Sequence, residues 1–358
     1  MKAGLKAGRE ASGAVPGVVF SEILQGACSV RTGWGSATDG MLPAREAGPD
    51  NAIIIVQDKN KHRGAVVPLV TPVTPAGDLD EAGLGRMIDF MLAGKVDGIF
   101  VLGTTGEGPS VPRGVRCTMV ERALAQVGGR ALVYAGIGDT CLADSVESAS
   151  RYLRAGVDAV VAQPPGYFPL QPGELLAYFT ALLDAVPGPV IIYNIPSTTH
   201  VSVPLEVVAQ LQGHPRLVGI KDSENDAKRH EELIGRFGGA PGFSIFVGVP
   251  ALMAQGLKRG ANGIVPSVGN LVPDICARLC RSVFREDWAE VERQAARMLE
   301  VAELYRNGRT LGQSVAALKA ALSWRGLIQP HVLPPLVAVG DQERETIRAD
   351  LLRLGLLN

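Results

Sequence analysis

Eight short, continuously apolar segments, each followed by a helical pattern, succeed one another from Gly64 onward, and no other feature limits the fold as tightly. The segments are Ala65–Val70, Gly98–Leu102, Ala131–Ala135, Ala159–Ala162, Val190–Tyr193, Leu217–Ile220, Ser244–Val247 and Gly263–Val265. They are rich in Val and Ile and lack polar–apolar alternation, as expected of strands covered on both faces. Helical patterns fall between them at Asp80–Ala93, Arg113–Val127, Leu142–Ala155, Gly173–Asp184, Pro204–Leu211, Asp226–Phe237 and Pro250–Arg259. Strands that alternate with helices pair in parallel, because each helix supplies the crossover. Eight such units predict an α/β fold of the (β/α)8 (TIM) barrel type, with a doubly wound open sheet as the rival.

The barrel core is expected over residues 63–272. Four more helical patterns follow, at Pro273–Phe284, Asp287–Tyr305, Leu311–Trp324 and Asp341–Leu354. The first completes the eighth unit, so residues 273–358 read as the last barrel helix and a C-terminal helical appendage packed on the barrel or a partner subunit. Residues 1–62 are different. Gly, Ser, Ala and Pro are scattered there without periodicity, apart from Ala52–Val56. This segment reads as a disordered or loosely docked extension, or as a start placed too early, with Met41 as one alternative. Lys2, Lys6 and Arg9 precede an apolar stretch, Ala14–Phe20, that Pro16 and Gly17 break, which makes a poor secretory signal.

Charge and composition exclude several classes of function. Thirty-five basic residues meet thirty-six acidic ones in 358, which leaves no electrostatic footprint for nucleic acid or an anionic membrane. No apolar run is long enough to span a bilayer. The five cysteines form no C-x-x-C pair, and a reducing, cytoplasmic setting fits them. Cys276 and Cys280, four apart on a predicted helix, read as small buried hydrophobes. The five histidines are dispersed without metal-ligand spacing. Glu107, Asp222 and Glu224 are weighed as magnesium ligands and read instead as solvated or salt-bridged, so no metal is expected.

Chemistry in a parallel barrel projects from the C-terminal ends of the strands, and here those ends carry the unusual residues. Strand two runs into Gly103-Thr104-Thr105-Gly106-Glu107-Gly108, strand four into Gln163-Pro164-Pro165-Gly166-Tyr167, strand five ends at Tyr193-Asn194, and strand six meets Lys221-Asp222-Ser223. A lysine at the rim of a dry barrel loses solvation, which lowers its pKa and frees the neutral amine that attacks a ketone. The plainer alternative for Lys221 is a snorkelling side chain or a pair with Asp222. Tyr193, on the neighbouring strand, can carry protons for such an amine. The Gly103–Gly108 loop offers backbone N–H groups and two threonine hydroxyls to a small anion. It has neither the P-loop nor the dinucleotide-binding order of glycines.

Taken together, Gly103-Thr104-Thr105-Gly106-Glu107, Tyr193-Asn194-Ile195-Pro196 and Gly219-Ile220-Lys221-Asp222 resemble the dihydrodipicolinate synthase / N-acetylneuraminate lyase family of class I pyruvate-dependent aldolases, from about Gly64 to the C-terminus. The resemblance implies a lyase or aldolase with no separate cofactor, in which Lys221 forms an imine with pyruvate or with a 2-keto acid that yields it. It implies that Gly103, Thr104 and Thr105 hold the pyruvate carboxylate. Thr104, Tyr193 and Tyr167 would relay protons, Tyr167 being lent by a neighbouring subunit of a dimer or dimer of dimers. Val265 would present a main-chain carbonyl, and Gly248 would line the pocket.

Two positions depart from the family pattern. Thr198 stands where the synthases carry an arginine that clamps the aldehyde's carboxylate, which weighs against aspartate semialdehyde as acceptor. Gly166-Tyr167 replaces a frequent tyrosine pair near the lysine-feedback site, so inhibition by lysine is not expected. A pyruvate-making or pyruvate-using aldolase of a hydroxylated 2-keto acid is therefore the leading expectation, ahead of dihydrodipicolinate synthesis. A nucleotide-dependent oxidoreductase and a non-catalytic keto-acid sensor stand further behind.

Overall fold

The computed structural model describes residues 61–357, so the expectations for the N-terminal extension lie outside the described residues. Eight strands close into one barrel: β1 (Gly64–Pro68), β2 (Gly98–Val101), β3 (Leu132–Gly136), β4 (Ala159–Ala162), β5 (Val190–Asn194), β6 (Leu217–Asp222), β7 (Ser244–Val247) and β8 (Gly263–Ile264). Each pairs in parallel with its sequence neighbour, and β1 pairs with β8. That last pairing excludes the open sheet and gives the expected (β/α)8 barrel.

Crossover helices lie between the strands: α1 (Glu81–Ala93), α2 (Arg113–Val127), α3 (Leu142–Ala155), α4 (Pro172–Ala185), α5 (Pro196–Thr199), α6 (Leu205–Leu211), α7 (Ala227–Phe237) and α8 (Pro250–Lys258). After β8 come α9 (Pro273–Phe284), α10 (Trp288–Arg306), α11 (Leu311–Trp324) and α12 (Asp341–Arg353). Four helices begin one residue later than the sequence pattern suggests, and for α1, α7 and α10 the reason is the same. Asp80, Asp226 and Asp287 stand outside as N-caps, their carboxylates accepting from Gly83, from Lys228 and Arg229, and from Glu290. The four-residue α5 is invisible to a periodicity reading, because it is barely one turn long.

Strand ends also differ in an informative way. β1 stops at Pro68 because the Val70 N–H turns to the Asn270 side chain at 3.1 Å. β6 extends two residues past Ile220, since Lys221 and Asp222 pair with Tyr193 and Asn194 on one side and with Phe246 and Val247 on the other. Lys221 thus belongs to the strand and shares the strand's rigidity.

Side chains inside the barrel form their own cluster, with Val66, Phe100, Tyr134, Val161, Ile191, Tyr193, Val218 and Phe246 among its members. A bulge opposite Val190 and Ile191 sets the phase of β6: Leu217 faces Val190, Gly219 faces Ile191, and Val218 is the extra residue. Past that point alternation resumes, so Lys221 points inward and Asp222 outward. Gly219 is required there, because a Cβ at this position would lie 2.3 Å from the Ser244 carbonyl oxygen of β7. The appendage is not peripheral. α10 packs against α8, α9 and α11, and Ser314–Leu322 of α11 is buried along its whole length.

Candidate active site

At the C-terminal end of the barrel, Lys221 reaches a cavity of about 380 Å³ whose wall includes Thr104, Thr105, Tyr193, Ser197, Ser223, Gly248, Val265 and Ser267. Its amine lies 3.7 Å from the centre of the Tyr193 ring and 5.0 Å from that of Phe100. Only 5% of the lysine is exposed. Burial pushes its pKa below the ordinary lysine value, while the neighbouring Tyr193 acts in the opposite direction. The alternative pairing with Asp222 is not made. That carboxylate faces the helices, where the Arg229 guanidinium donates to it at 2.8 Å.

Asp222 has a positional task nonetheless. Asn194 donates from Nδ2 to both Asp222 oxygens, at 3.1 and 3.2 Å, and to Glu224 at 2.9 Å. The Val203 N–H donates back to Asn194 Oδ1 at 3.0 Å, and Ser202 donates to Glu224 at 2.6 Å. The residue after Tyr193 is therefore tied to the residue after Lys221, on the outer face of the barrel, and the two inward side chains share one fixed register. Sequence reasoning weighed Asp222 and Glu224 as solvated or salt-bridged carboxylates. The bonds from Asn194 were missed, although Asn194 and Asp222 stand one residue after the two singled-out side chains.

Thr104 brings its hydroxyl to 3.4 Å from the Tyr193 hydroxyl. The turn that carries Thr104 and Thr105 closes through Glu107 N–H to the Thr104 carbonyl, 3.1 Å, and Gly108 N–H to the Gly103 carbonyl, 3.1 Å. Leu102 and Glu107 flank it with φ of 58° and 54°, left-handed values that side chains other than glycine adopt at a cost. Glu107 is held in place. Lys319 of α11 donates to one carboxylate oxygen at 2.6 Å, and the Leu333 N–H donates to the other at 2.6 Å. Both side chains of this ion pair are fully buried. A solvated Glu107 is thus corrected in favour of its salt-bridged alternative.

The remaining expected residues divide. Gly103 belongs to the closed turn, where a Cβ would press on the Phe100 ring at 2.6 Å. Gly248 and Val265 line the cavity; a Cβ on Gly248 would lie 2.0 Å from Ser223 Oγ. Tyr167 stands apart from the cavity wall, 80% exposed and packed edge-on against Phe168. Within one chain it does not join Tyr193 and Thr104. Thr198 is exposed, and the cavity is lined instead by its neighbour Ser197. Ser197, Ser223, Asn225, Ser267, Glu303 and Arg306 line it without having been singled out. The last two come from α10, which no strand-end rule could bring forward.

The chain matches the model of the dihydrodipicolinate synthetase family over residues 61–354 and belongs to that family. Its members are class I pyruvate-dependent lyases that work through a lysine imine, and this chain is an enzyme of that kind. Among its relatives is the 4-hydroxy-tetrahydrodipicolinate synthase of Thioalkalivibrio sulfidiphilus, 30% identical over 82% of this chain and 98% of the relative. A DapA-like lyase of Halobacterium salinarum is 32% identical over 82% of this chain and 94% of its own length. Dihydrodipicolinate synthase from Bacteroides thetaiotaomicron superposes with a TM-score of 0.77 at 32% identity, covering 81% of this chain and 98% of its own. YagE, a prophage protein of the dihydrodipicolinic acid synthase family from E. coli K12 solved with pyruvate, superposes with a TM-score of 0.78 at 26% identity, covering 82% and 99%. Among the described residues no helix is long and apolar enough to cross a membrane.

Proposed function

We propose that Lys221 is the imine-forming residue of a pyruvate-dependent aldolase that forms or cleaves a hydroxylated 2-keto acid. The observation that carries this is the buried Lys221 amine over the Tyr193 ring, with the Tyr193 hydroxyl beside Thr104. The neutral amine attacks the keto carbon of pyruvate, and loss of water leaves an imine. Loss of a proton from the methyl carbon gives an enamine, with Tyr193 and Thr104 moving protons. The enamine carbon bonds to the aldehyde carbon, the aldehyde oxygen takes up a proton, and water hydrolyses the imine to free product and amine. Cleavage is the same sequence reversed.

Gly103, Thr104 and Thr105 hold the keto-acid carboxylate, through the threonine hydroxyls and the turn's backbone. Val265 offers its main-chain carbonyl from β8, and Gly248 keeps the wall open beside Ser223. Tyr167 serves the relay only in an assembly, which would be a dimer or dimer of dimers; its exposed ring and that of Phe168 suit a subunit contact. A cytoplasmic setting belongs to the same reading.

A second reading, condensation of pyruvate with aspartate semialdehyde, is favoured by the names of relatives at about 30% identity. Against it stands Thr198, an exposed threonine with its hydroxyl turned to the Ile195 carbonyl, where a guanidinium would be needed. Turnover with aspartate semialdehyde, glyoxylate, glyceraldehyde and sugar aldehydes separates the two readings.

The imine is tested by borohydride reduction in the presence of pyruvate, followed by mass analysis of the peptide holding Lys221. A stable adduct is expected in the wild type and none in Lys221→Ala. An equal adduct in the variant would remove the mechanism.

A further inference from the structure

We propose that Arg306 selects aldehydes that end in an anion, a carboxylate or a phosphate. The inference rests on the imine reading and concerns the other end of the same cavity. Arg306 closes α10 and contributes the cavity's one guanidinium among the described residues. It also lines an adjoining cavity of about 230 Å³, which shares Thr105, Ser197, Ser267 and Leu311 with the first. The rim at Arg306 is thus where space continues away from Lys221.

Its charge is available. No carboxylate among the described residues lies within ion-pair distance of the Arg306 guanidinium, whereas the nearby Arg309 is held by Glu343 at 2.7 Å and by the Leu304 carbonyl at 3.1 Å. Glu303, one turn earlier on α10, is the one carboxylate on the same wall among the described residues, and no ion pair joins it to Arg306, which lies beside the Tyr305 hydroxyl. Tyr305, between them in sequence, points to Ser267 with its hydroxyl 2.7 Å from Ser267 Oγ. Hydroxyls and an amide from Ser197, Ser223, Asn225 and Ser267 line the same cavity as the lysine and the arginine.

Matching chemistry follows from that set of groups. The aldehyde carbon must sit by Tyr193, its hydroxyls can meet the serines, and a terminal anion can meet the planar, two-pronged donor of Arg306. The guanidinium that the Thr198 position does not supply is thereby supplied from the C-terminal helices, at a different place in the cavity. A substrate of another shape is selected.

The test compares paired aldehydes with pyruvate as donor: glyceraldehyde against glyceraldehyde 3-phosphate, and butanal against succinic semialdehyde. The readout is the ratio of kcat/KM within each pair. In the wild type the anionic member of at least one pair is favoured, and which pair responds tells phosphate from carboxylate. Arg306→Gln lowers that ratio about 10- to 100-fold, the range for loss of a hydrogen-bonded charge, and Arg306→Lys retains part of it. A wild type that traps pyruvate on Lys221 but favours neither anionic aldehyde overturns the proposal alone. So does an unchanged ratio in Arg306→Gln. A wild type that traps no pyruvate overturns the imine reading, and this proposal falls with it.

Discussion

Two lysines are buried among the described residues, and their surroundings differ in one decisive respect. Lys221 ends an inward-facing row in the barrel, with aromatic rings around its amine and no carboxylate among the described residues against it. Lys319 lies inside the C-terminal helices with the Glu107 carboxylate at 2.6 Å. Burial pushes both below the ordinary lysine pKa, but at Lys319 the opposing influence is a full negative charge, and at Lys221 only a tyrosine. A buried carboxylate keeps an amine protonated and structural, whereas a tyrosine and an empty space leave it free to react. The two are also connected. Glu107 closes the turn that presents Thr104 and Thr105, so the ion-paired lysine steadies the loop facing the one we propose to be reactive.

The contrast breaks first, and most severely, by removing one lysine at a time. Lys221→Ala should lower aldol turnover by about 10⁴-fold or more, as expected for loss of a nucleophile, while the thermal transition stays close to the wild type. Lys319→Met should do the opposite in kind: unfolding by urea should show a loss of about 3–5 kcal/mol, because a buried carboxylate is left unpaired, and borohydride should still trap pyruvate. An Lys319→Met protein with wild-type stability would mean that the pair is not held as an ion pair. Next in size is Tyr193→Phe. Turnover should fall by about 10²- to 10⁴-fold for loss of a proton carrier, with the trapped adduct retained at long incubation. A wild-type rate in that variant would assign the proton transfers to another group.

How far the sequence led can be judged at these same positions. Lys221 and Tyr193 were legible because both follow a run of apolar strand residues, and a parallel barrel places such ends at its mouth. The barrel itself was legible because strand–helix alternation is local. The partners of the carboxylates were not. Glu107 meets Lys319 across 212 residues, a pairing that no spacing rule encodes. Arg306 was hidden for a similar reason: it reaches the cavity from the last turn of α10, well after the eighth strand. The bulge at Val218 was equally silent, since Leu217-Val218-Gly219-Ile220 reads as plain strand, yet it decides that Lys221 faces inward. Tyr167 shows the limit from another side, as its expected role needs a second subunit.

The finest distinction between the two lysines is a pH effect. Imine formation needs the neutral amine, so the rate of trapping by borohydride should rise with pH and level off once Lys221 has lost its proton. Because burial lowers that pKa, the midpoint should fall below 10.5, the ordinary value. Tyr193 acts against the lowering, so Tyr193→Phe should move the midpoint lower still. Lys319→Met should leave it in place. Stability has the matching sign. With a folded-state pKa below the unfolded one, Lys221 contributes stability above the unfolded value and loses it as pH falls through the folded value, because the unfolded chain binds the proton more readily. Lys221→Met should flatten that part of the stability curve. A trapping midpoint at or above 10.5 in the wild type would show that the tyrosine outweighs burial, and the separation between the reactive and the structural lysine would then have to rest on access to the cavity alone.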